Sequence, residues 1–364
     1  MRIDYVITGL DIGGAEYQVV SLLERLAKNG HTMRLISLIP PSSAILIERI
    51  SATGVPLLSL DMRSSKDLPL ALLRLCKILR QTKPDIVHSH MVHANIITRL
   101  ARLFLPSLKI ISTAHNTHEG GKFRDWAYRL TNPLCQLNTT ISDTATHRFT
   151  NENVLPRQNT RTVFNGIDTD KFFPQASKKM TSSPFCWLAV GRLVEQKDYP
   201  TLIKAFTLIP NSKLLIAGQG PLDITLFQQV KYYGLEDRIE FIGLSDDTSS
   251  LYRQADGFVL SSAWEGYGLV VAEAMSSELP VVVTDSGGPR EIVGSDGRTG
   301  LIVPIKDPLA LASAMIAIEE MPSIERHKMG VFGRVRIREH FSLNEIVTQW
   351  EHLYIELKNK KNLL

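Results

Sequence analysis

The sequence predicts an α/β protein made of two doubly wound, parallel-sheet domains. Short β-branched runs alternate with amphipathic runs through both halves of the chain, the pattern of parallel strands joined by right-handed crossovers. At 364 residues the chain is longer than one core usually fills. The alternation breaks once, near Thr169–Pro184, in a segment with two prolines, several polar residues and no period.

In the first half, strands are expected at Ile3–Thr8, Met33–Leu38, Asp85–Ser89, Lys109–Thr113, Leu137–Ile141 and Thr162–Phe164. Helices are expected at Ala15–Lys28, Leu68–Gln81 and Ala94–Phe104. In the second half, strands are expected at Phe185–Val190, Lys213–Ala217, Ile239–Phe241, Gly257–Ser261, Pro280–Thr284 and Gly300–Val303. Helices such as Tyr199–Ile209, Leu222–Tyr233 and Ala272–Ser277 fill the gaps. This gives a first domain over 1–168, a linker over 169–184 and a second domain over 185–342, facing each other across a cleft. The last amphipathic run, Leu343–Lys358, follows the second sheet, and the segment 343–364 is expected to cross back and brace the first domain.

Composition narrows the class. A hydrophobic content of 44% with 21% charged residues fits a soluble globular chain. No apolar run reaches membrane-spanning length, and the first residues, Met1-Arg-Ile-Asp-Tyr-Val-Ile-Thr8, read as a strand and not as a secretion signal. Cys76, Cys135 and Cys186 are far apart and form no CxxC pair, which points to a reducing, cytoplasmic compartment and away from zinc. Residues 1–170 carry 20 Lys and Arg against 14 Asp and Glu, and the remainder is slightly acidic. The basic first half favours an anionic surface or acceptor, though such an excess is also common in plain soluble domains. Within it, Arg74, Lys77 and Arg80 form a stripe among leucines. That stripe suits either an anionic membrane surface or an ordinary solvated helix face.

The motifs that carry chemistry sit at expected strand ends, where open α/β sheets bind ligands. In Glu265-Gly-Tyr-Gly-Leu-Val-Val-Ala-Glu273, Glu265 falls in a strand-to-helix loop and Glu273 one or two turns into the helix. Two carboxylates there suit a polyhydroxylated ligand, since they accept hydrogen bonds from hydroxyls. Gly191-Arg192 ends one strand and Lys197 lies five residues on. Arg192 can grip a diphosphate by a forked contact and Lys197 as a point charge. Gly13-Gly14 opens the first helix and Gly287-Gly288 a later one, each allowing close backbone approach beside a helix N-terminus. The first spacing is not GxGxxG, so a dehydrogenase fingerprint is poorly supported, and a plain tight turn remains an equal reading there. Ile242-Gly243 is a further glycine turn. His115, just past a strand, suits a ligand hydroxyl or a structural role. His88, His90 and His93 have no carboxylate or thiol partner at metal spacing and read as strand-end packing.

Taken in order along nearly the whole chain, these residues resemble the retaining glycosyltransferases of family 4, which have the GT-B fold of two facing Rossmann-like domains. Gly13-Gly14-Ala15-Glu16 is similar to the family's first glycine loop and Asn165-Gly166-Ile167-Asp168 to its interdomain signature. Gly191-Arg192 with Lys197 resembles its phosphate-binding pair, Gly287-Gly288 its later glycine loop, and Glu265 to Glu273 its E-x7-E motif. The resemblance implies that Glu273 bonds the ribose of a nucleotide sugar, while Arg192 and Lys197 hold the diphosphate and stabilise the leaving group. It implies that Glu265, Gly287 and Gly288 contact the donor sugar, with Gly13, Gly14, Gly191, Gly268 and Leu269 also on the donor side. Ile242 and Gly243 then lie beside the base, and His115 meets the donor sugar near the reacting carbon. No metal or other cofactor is implied.

The comparison sharpens toward bacterial transferases of O-antigen or exopolysaccharide synthesis. Those add a hexose to a glycan on undecaprenyl diphosphate at the cytoplasmic membrane face, with no nucleic-acid partner. A UDP-sugar donor is favoured and a GDP-sugar is the alternative. Two rivals share the architecture, a nucleotide-sugar epimerase and a non-enzymatic nucleotide-sugar binder. One departure from the pattern is visible. Glu278 precedes Leu279-Pro280 where the family usually has glycine, so that helix must end without its usual left-handed glycine, and a local change only is expected.

Overall fold

The computed structural model describes residues 1–11, 13–117, 120–175, 184–245 and 247–360. Two compact units result: Met1–Gly166 with Leu343–Leu364, and Ile167–Ser342. Most of the expected linker, 176–183, lies outside the described residues. Its start does not behave as a linker: Phe172 is buried in unit 2 against Tyr252, at 5.7 Å between ring centroids. The two ends of unit 2 meet each other, Ile167 donating to the Phe341 carbonyl at 2.8 Å.

Unit 1 holds seven parallel strands: β1 (Arg2–Ile7), β2 (Thr32–Ser37), β3 (Leu57–Ser59), β4 (Ile86–His90), β5 (Ile110–Ala114), β6 (Leu137–Thr140) and β7 (Thr160–Thr162). Their order is β3-β2-β1-β4-β5-β6-β7. Helices cover both faces, so strands such as β4 and β5 are buried throughout, as parallel sheets require. One face packs under the Gly14–Lys28 helix and the C-terminal Leu343–Asn359 helix, whose Ile346, Val347, Trp350 and Tyr354 join the core of β1 and β4. Each such fully buried side chain contributes roughly 1.5–3 kcal/mol. Polar ties fix the C-terminal helix in unit 1. The Tyr5 and Tyr354 hydroxyls stand 2.7 Å apart, and Glu351 meets His31 at 2.9 Å.

Unit 2 holds six parallel strands: β8 (Cys186–Val190), β9 (Lys213–Ala217), β10 (Ile239–Gly243), β11 (Gly257–Leu260), β12 (Val281–Thr284) and β13 (Leu301–Val303). The order is β10-β9-β8-β11-β12-β13, a doubly wound sheet that reverses direction between β8 and β11. The expected fold class is observed in both units. The differences are local. β7 begins and ends two residues earlier than expected, and β3 and the Ala44–Ala52, Lys122–Thr131 and Asp143–Asn151 helices went unassigned. Among the described residues no helix is long and apolar enough to cross a membrane.

Candidate active site

The carboxyl edge of the unit 2 sheet gathers most of the residues singled out in the sequence. The loops after β8 and β9 interlock first. Gly191 donates to the Ala217 carbonyl at 2.9 Å and its own carbonyl accepts from the Tyr199 hydroxyl at 3.0 Å. A methyl group on Gly218 would overlap the Gly191 carbonyl, so glycine is required for this contact. Gly218 donates in turn to Gly243, at the end of β10, at 2.8 Å. Gly191, Ile242 and Gly243 are thereby fixed along one edge, and Arg192 projects beside them, exposed.

The loop after β11 carries Glu265. Its amide donates to Ser286 at 2.8 Å, and it pairs in parallel with Gly287 as an isolated bridge. Its carboxylate is held by three donors from both sides of the switch point. Lys197 Nζ donates at 2.6 Å and Gln196 Nε2 at 3.3 Å, from the loop after β8, and Ser262 Oγ donates at 3.1 Å from its own loop. The Lys197 and Glu265 side chains are only 14% and 11% exposed. The same loops are laced by backbone, Ala263 donating to Gln196 at 2.9 Å and Ser261 Oγ to the Lys197 carbonyl at 2.8 Å.

Glu273 lies in the Leu269–Ser276 helix, which opens at Gly268 with φ 93°. Leu269 begins the helix and Glu273 is one turn in. Glu273 accepts from the Tyr252 hydroxyl at 2.7 Å. Burial raises its carboxyl above the usual range, opposed by the Tyr252 hydrogen bond and the charges of Lys171 and Lys197. The helix ends in a Schellman motif: Leu279 donates to Ala274 and Glu278 to Met275, both at 3.1 Å. Glu278 itself takes the left-handed conformation, φ 60°, so the change from glycine leaves the helix end unaltered in course.

Gly287 and Gly288 open the six-residue Gly288–Val293 helix. A methyl group on Gly288 would strike the Tyr267 backbone, which explains the second glycine as a packing requirement. Gly287, with φ 108°, faces the Glu265 backbone. The arrangement thus brings Gly191, Lys197, Glu265, Gly268, Gly287 and Gly288 together at one switch point, with Glu273 on the adjoining helix.

Gly13, Gly14 and His115 belong to unit 1. A methyl group on Gly13 would lie 2.5 Å from the Glu16 carboxylate, which folds back over the helix start. His115 follows β5 and is buried, with its Nε2 3.1 Å from Nδ1 of His90, the last residue of β4. His88 bonds Thr113 at 2.7 Å and the Tyr354 hydroxyl at 2.8 Å. Burial lowers the His115 imidazole to about 4 and holds His88 and His90 well below the usual range, so the string is neutral at pH 7. Met91, at the end of β4, has φ 73°, a costly conformation for a residue with a side chain. Among the described residues no group of three or more His, Cys, Asp or Glu is placed to hold a metal ion.

Sequence reasoning missed Tyr252, Gln196 and Ser262. Ser262 is three residues from Glu265 and carries a local signal. Tyr252 meets Glu273 from a different helix, and nothing in the sequence announces that pairing.

Two family models match in tandem: Glycosyltransferase Family 4 over residues 12–171 and Glycosyl transferases group 1 over residues 171–336. The chain is 27% identical to the N-acetyl-alpha-D-glucosaminyl L-malate synthase of Bacillus anthracis, covering 96% of each protein. It is 25% identical to the UDP-Gal:alpha-D-GlcNAc-diphosphoundecaprenol alpha-1,3-galactosyltransferase of Escherichia coli, covering 87% of each. In structure it is similar to Anabaena HepE, solved in complex with UDP, with a TM-score of 0.82 and 18% identity over 98% of this chain and 100% of that one. With two Rossmann-like units and glycosyltransferase models matched side by side from residue 12 to residue 336, the protein is a GT-B glycosyltransferase.

Proposed function

We propose that this glycosyltransferase moves a hexosyl group, with retention, from a UDP-sugar to a lipid-linked glycan in bacterial surface polysaccharide assembly. A GDP-sugar is the alternative donor. The observation that carries the donor side is the Lys197–Glu265 pair across the unit 2 switch point, with Glu273 one helix turn beyond Leu269. Glu273 is assigned to the ribose hydroxyls, since a carboxylate oriented by Tyr252 is a preset acceptor for them. Arg192 and Lys197 are assigned to the diphosphate. Cations fixed where negative charge develops on the departing nucleotide lower the barrier most when they are preorganised, as Lys197 is by Glu265. Glu265, Gly268, Leu269, Gly287 and Gly288 are assigned to the donor sugar, and Gly191, Ile242 and Gly243 to the nucleotide. Gly13, Gly14 and His115 are assigned to the donor sugar on the family resemblance alone.

The acceptor reading is supported by the 87% coverage of a relative named for a diphosphoundecaprenol-linked substrate and by the basic first half of the chain. The test is a screen of UDP- and GDP-hexoses with lipid-linked oligosaccharide, read by mass spectrometry. A product one hexose heavier, with its anomeric configuration retained, is expected, and EDTA is expected to leave the rate unchanged. An epimerised nucleotide sugar formed without acceptor would sink the transferase mechanism proposed here.

A further inference from the structure

The Lys122–Thr131 helix of unit 1 is turned inside out relative to an ordinary surface helix. Its inward face is polar: Asp125 is buried and paired with Arg148 at 2.6 Å, and the Tyr128 hydroxyl accepts from Asn95 at 2.8 Å. Its outward face is apolar. Phe123, 78% exposed, and Trp126, 54% exposed, stand at i and i+3 with ring centroids 6.1 Å apart, and exposed Leu130 follows at i+7. An amphipathic helix presenting aromatics to solvent is a surface awaiting an apolar partner.

The neighbouring helices extend this surface. The Leu68–Thr82 and Val92–Ala101 helices share one core, and the Lys122–Thr131 helix packs on the second of them through Arg99 and Thr131 at 3.2 Å. The three form one layer on one face of the sheet. Each follows a parallel strand and so begins at the carboxyl edge, the edge that carries His115. Leu70 and Leu73 are exposed near the start of the first helix, as Phe123 and Trp126 are near the start of the third. The outward charge of the three helices is basic, with Asp61, just before the first of them, 3.8 Å from Arg74. Asp125 is the only carboxylate in the three helices and it faces inward, while Arg74, Lys77, Arg80 and Lys122 are exposed.

We propose that this helical layer docks unit 1 on the surface of an anionic phospholipid bilayer. Phe123, Trp126, Leu70 and Leu73 enter the interface and the exposed cations meet the headgroups. Tryptophan in particular suits the boundary between headgroup and acyl chain. A second copy of the chain is a poor occupant, because a two-fold contact would set Lys77, Arg80 and Lys122 against the same cations, and the one exposed carboxylate beside the first helix, Asp61, already lies 3.8 Å from Arg74. The inference deepens the lipid-linked acceptor reading and rests on it for its purpose, since a docked unit 1 meets its acceptor where that acceptor resides.

The test is co-sedimentation of the full chain with phosphatidylcholine–phosphatidylglycerol vesicles and with pure phosphatidylcholine vesicles, without donor or acceptor. Binding to the anionic vesicles with a blue shift of tryptophan emission is expected. Phe123→Ser with Trp126→Ser should weaken that binding about tenfold or more at an unchanged melting temperature. Arg74→Gln with Lys77→Gln should remove the preference for anionic lipid. Failure to bind, or equal binding to both vesicle types, overturns the proposal. So does a dimer, seen by sedimentation velocity, that disappears in the Phe123/Trp126 variant. Vesicle binding is read apart from catalysis, so either reading can fail while the other stands.

Discussion

The Lys197 ammonium and the Glu265 carboxylate meet at 2.6 Å across the point where the unit 2 sheet reverses its strand order. Each comes from a loop on a different side of the reversal, so the pair ties together two loops at the carboxyl edge of the sheet. Both side chains are largely shielded from water, and removing one strands the other. Lys197→Met or Glu265→Ala should each destabilise unit 2, near the lower end of about 3–5 kcal/mol because some solvent still reaches them. The double variant should cost less than the sum, with a coupling of about 0.5–3 kcal/mol in urea denaturation. Strict additivity would mean that the two groups do not interact in solution.

Glu273 accepts from the Tyr252 hydroxyl at 2.7 Å, which holds its carboxylate in place. Glu273→Ala should leave the fold intact and weaken UDP binding by about 1.5–3 kcal/mol, the range for hydrogen bonds to a charged group. Calorimetry with UDP checks this, and unchanged affinity would remove Glu273 from the ribose. Because burial raises this carboxyl, it takes up its proton at a higher pH than an ordinary glutamate. UDP affinity should therefore begin to fall earlier on acidification in the native protein than in Glu273→Gln.

Arg192 projects, exposed, beside the Gly191 turn, in contrast to the clamped Lys197. On the proposed reading its charge answers the departing diphosphate more than the resting complex. Arg192→Ala should lower kcat more than it raises KM, since the charge it answers develops as the nucleotide departs. An unaltered kcat with a raised KM would assign it to ground-state binding.

The strands of both sheets were legible because buried parallel strands are short, β-branched and bounded by glycine turns. Glu265, Arg192 and Lys197 were legible because they sit where those strands end. Pairing across loops was not. Nothing in Gly191–Lys197 says that Lys197 reaches back to Glu265, 68 residues on, or that Tyr252 covers Glu273. The Lys122–Thr131 helix escaped for a different reason. Its apolar residues face outward and its aspartate inward, so the usual rule for locating a core face inverts there. Gly288 was legible as a glycine but not for its reason, since its contact is with the Tyr267 backbone.

Glu278 holds the left-handed position at the end of the Leu269–Ser276 helix, a conformation that costs an L-residue about 1–2 kcal/mol. Its carboxylate gains little in return, lying 3.9 Å from Arg334 Nε. Glu278→Gly should stabilise the protein by about 0.5–1 kcal/mol after the extra backbone entropy of glycine is counted. A rise in melting temperature with unchanged donor affinity is expected. A fall would show that the Arg334 contact outweighs the relieved backbone.

The buried histidines of unit 1 make its stability depend on pH with a definite sign. His88, His90 and His115 are each held neutral by burial, with His115 lowered to about 4 and the mutual repulsion of the rings adding to the effect at His88 and His90. In the unfolded chain a histidine takes its proton near pH 6.5. Between that pH and about 4 the unfolded state therefore binds more protons than the folded one, and stability falls as pH falls. The neighbouring Tyr5 and Tyr354 phenols are raised by burial and stay neutral throughout, so they do not offset this. Asp4, raised by burial, works in the opposite direction, but only toward the carboxylate range. Each histidine should contribute about 1.4 kcal/mol per pH unit once its unfolded form is protonated. Hydrogen exchange of the β4 and β5 amides at pH 7 and pH 5.5 reads this locally. Protection should drop on acidification in the native chain and drop less in His90→Gln, which removes one of the three protons. Equal pH dependence in the two proteins would show that His90 takes up its proton at the same pH in the folded as in the unfolded chain, so that burial does not hold it neutral.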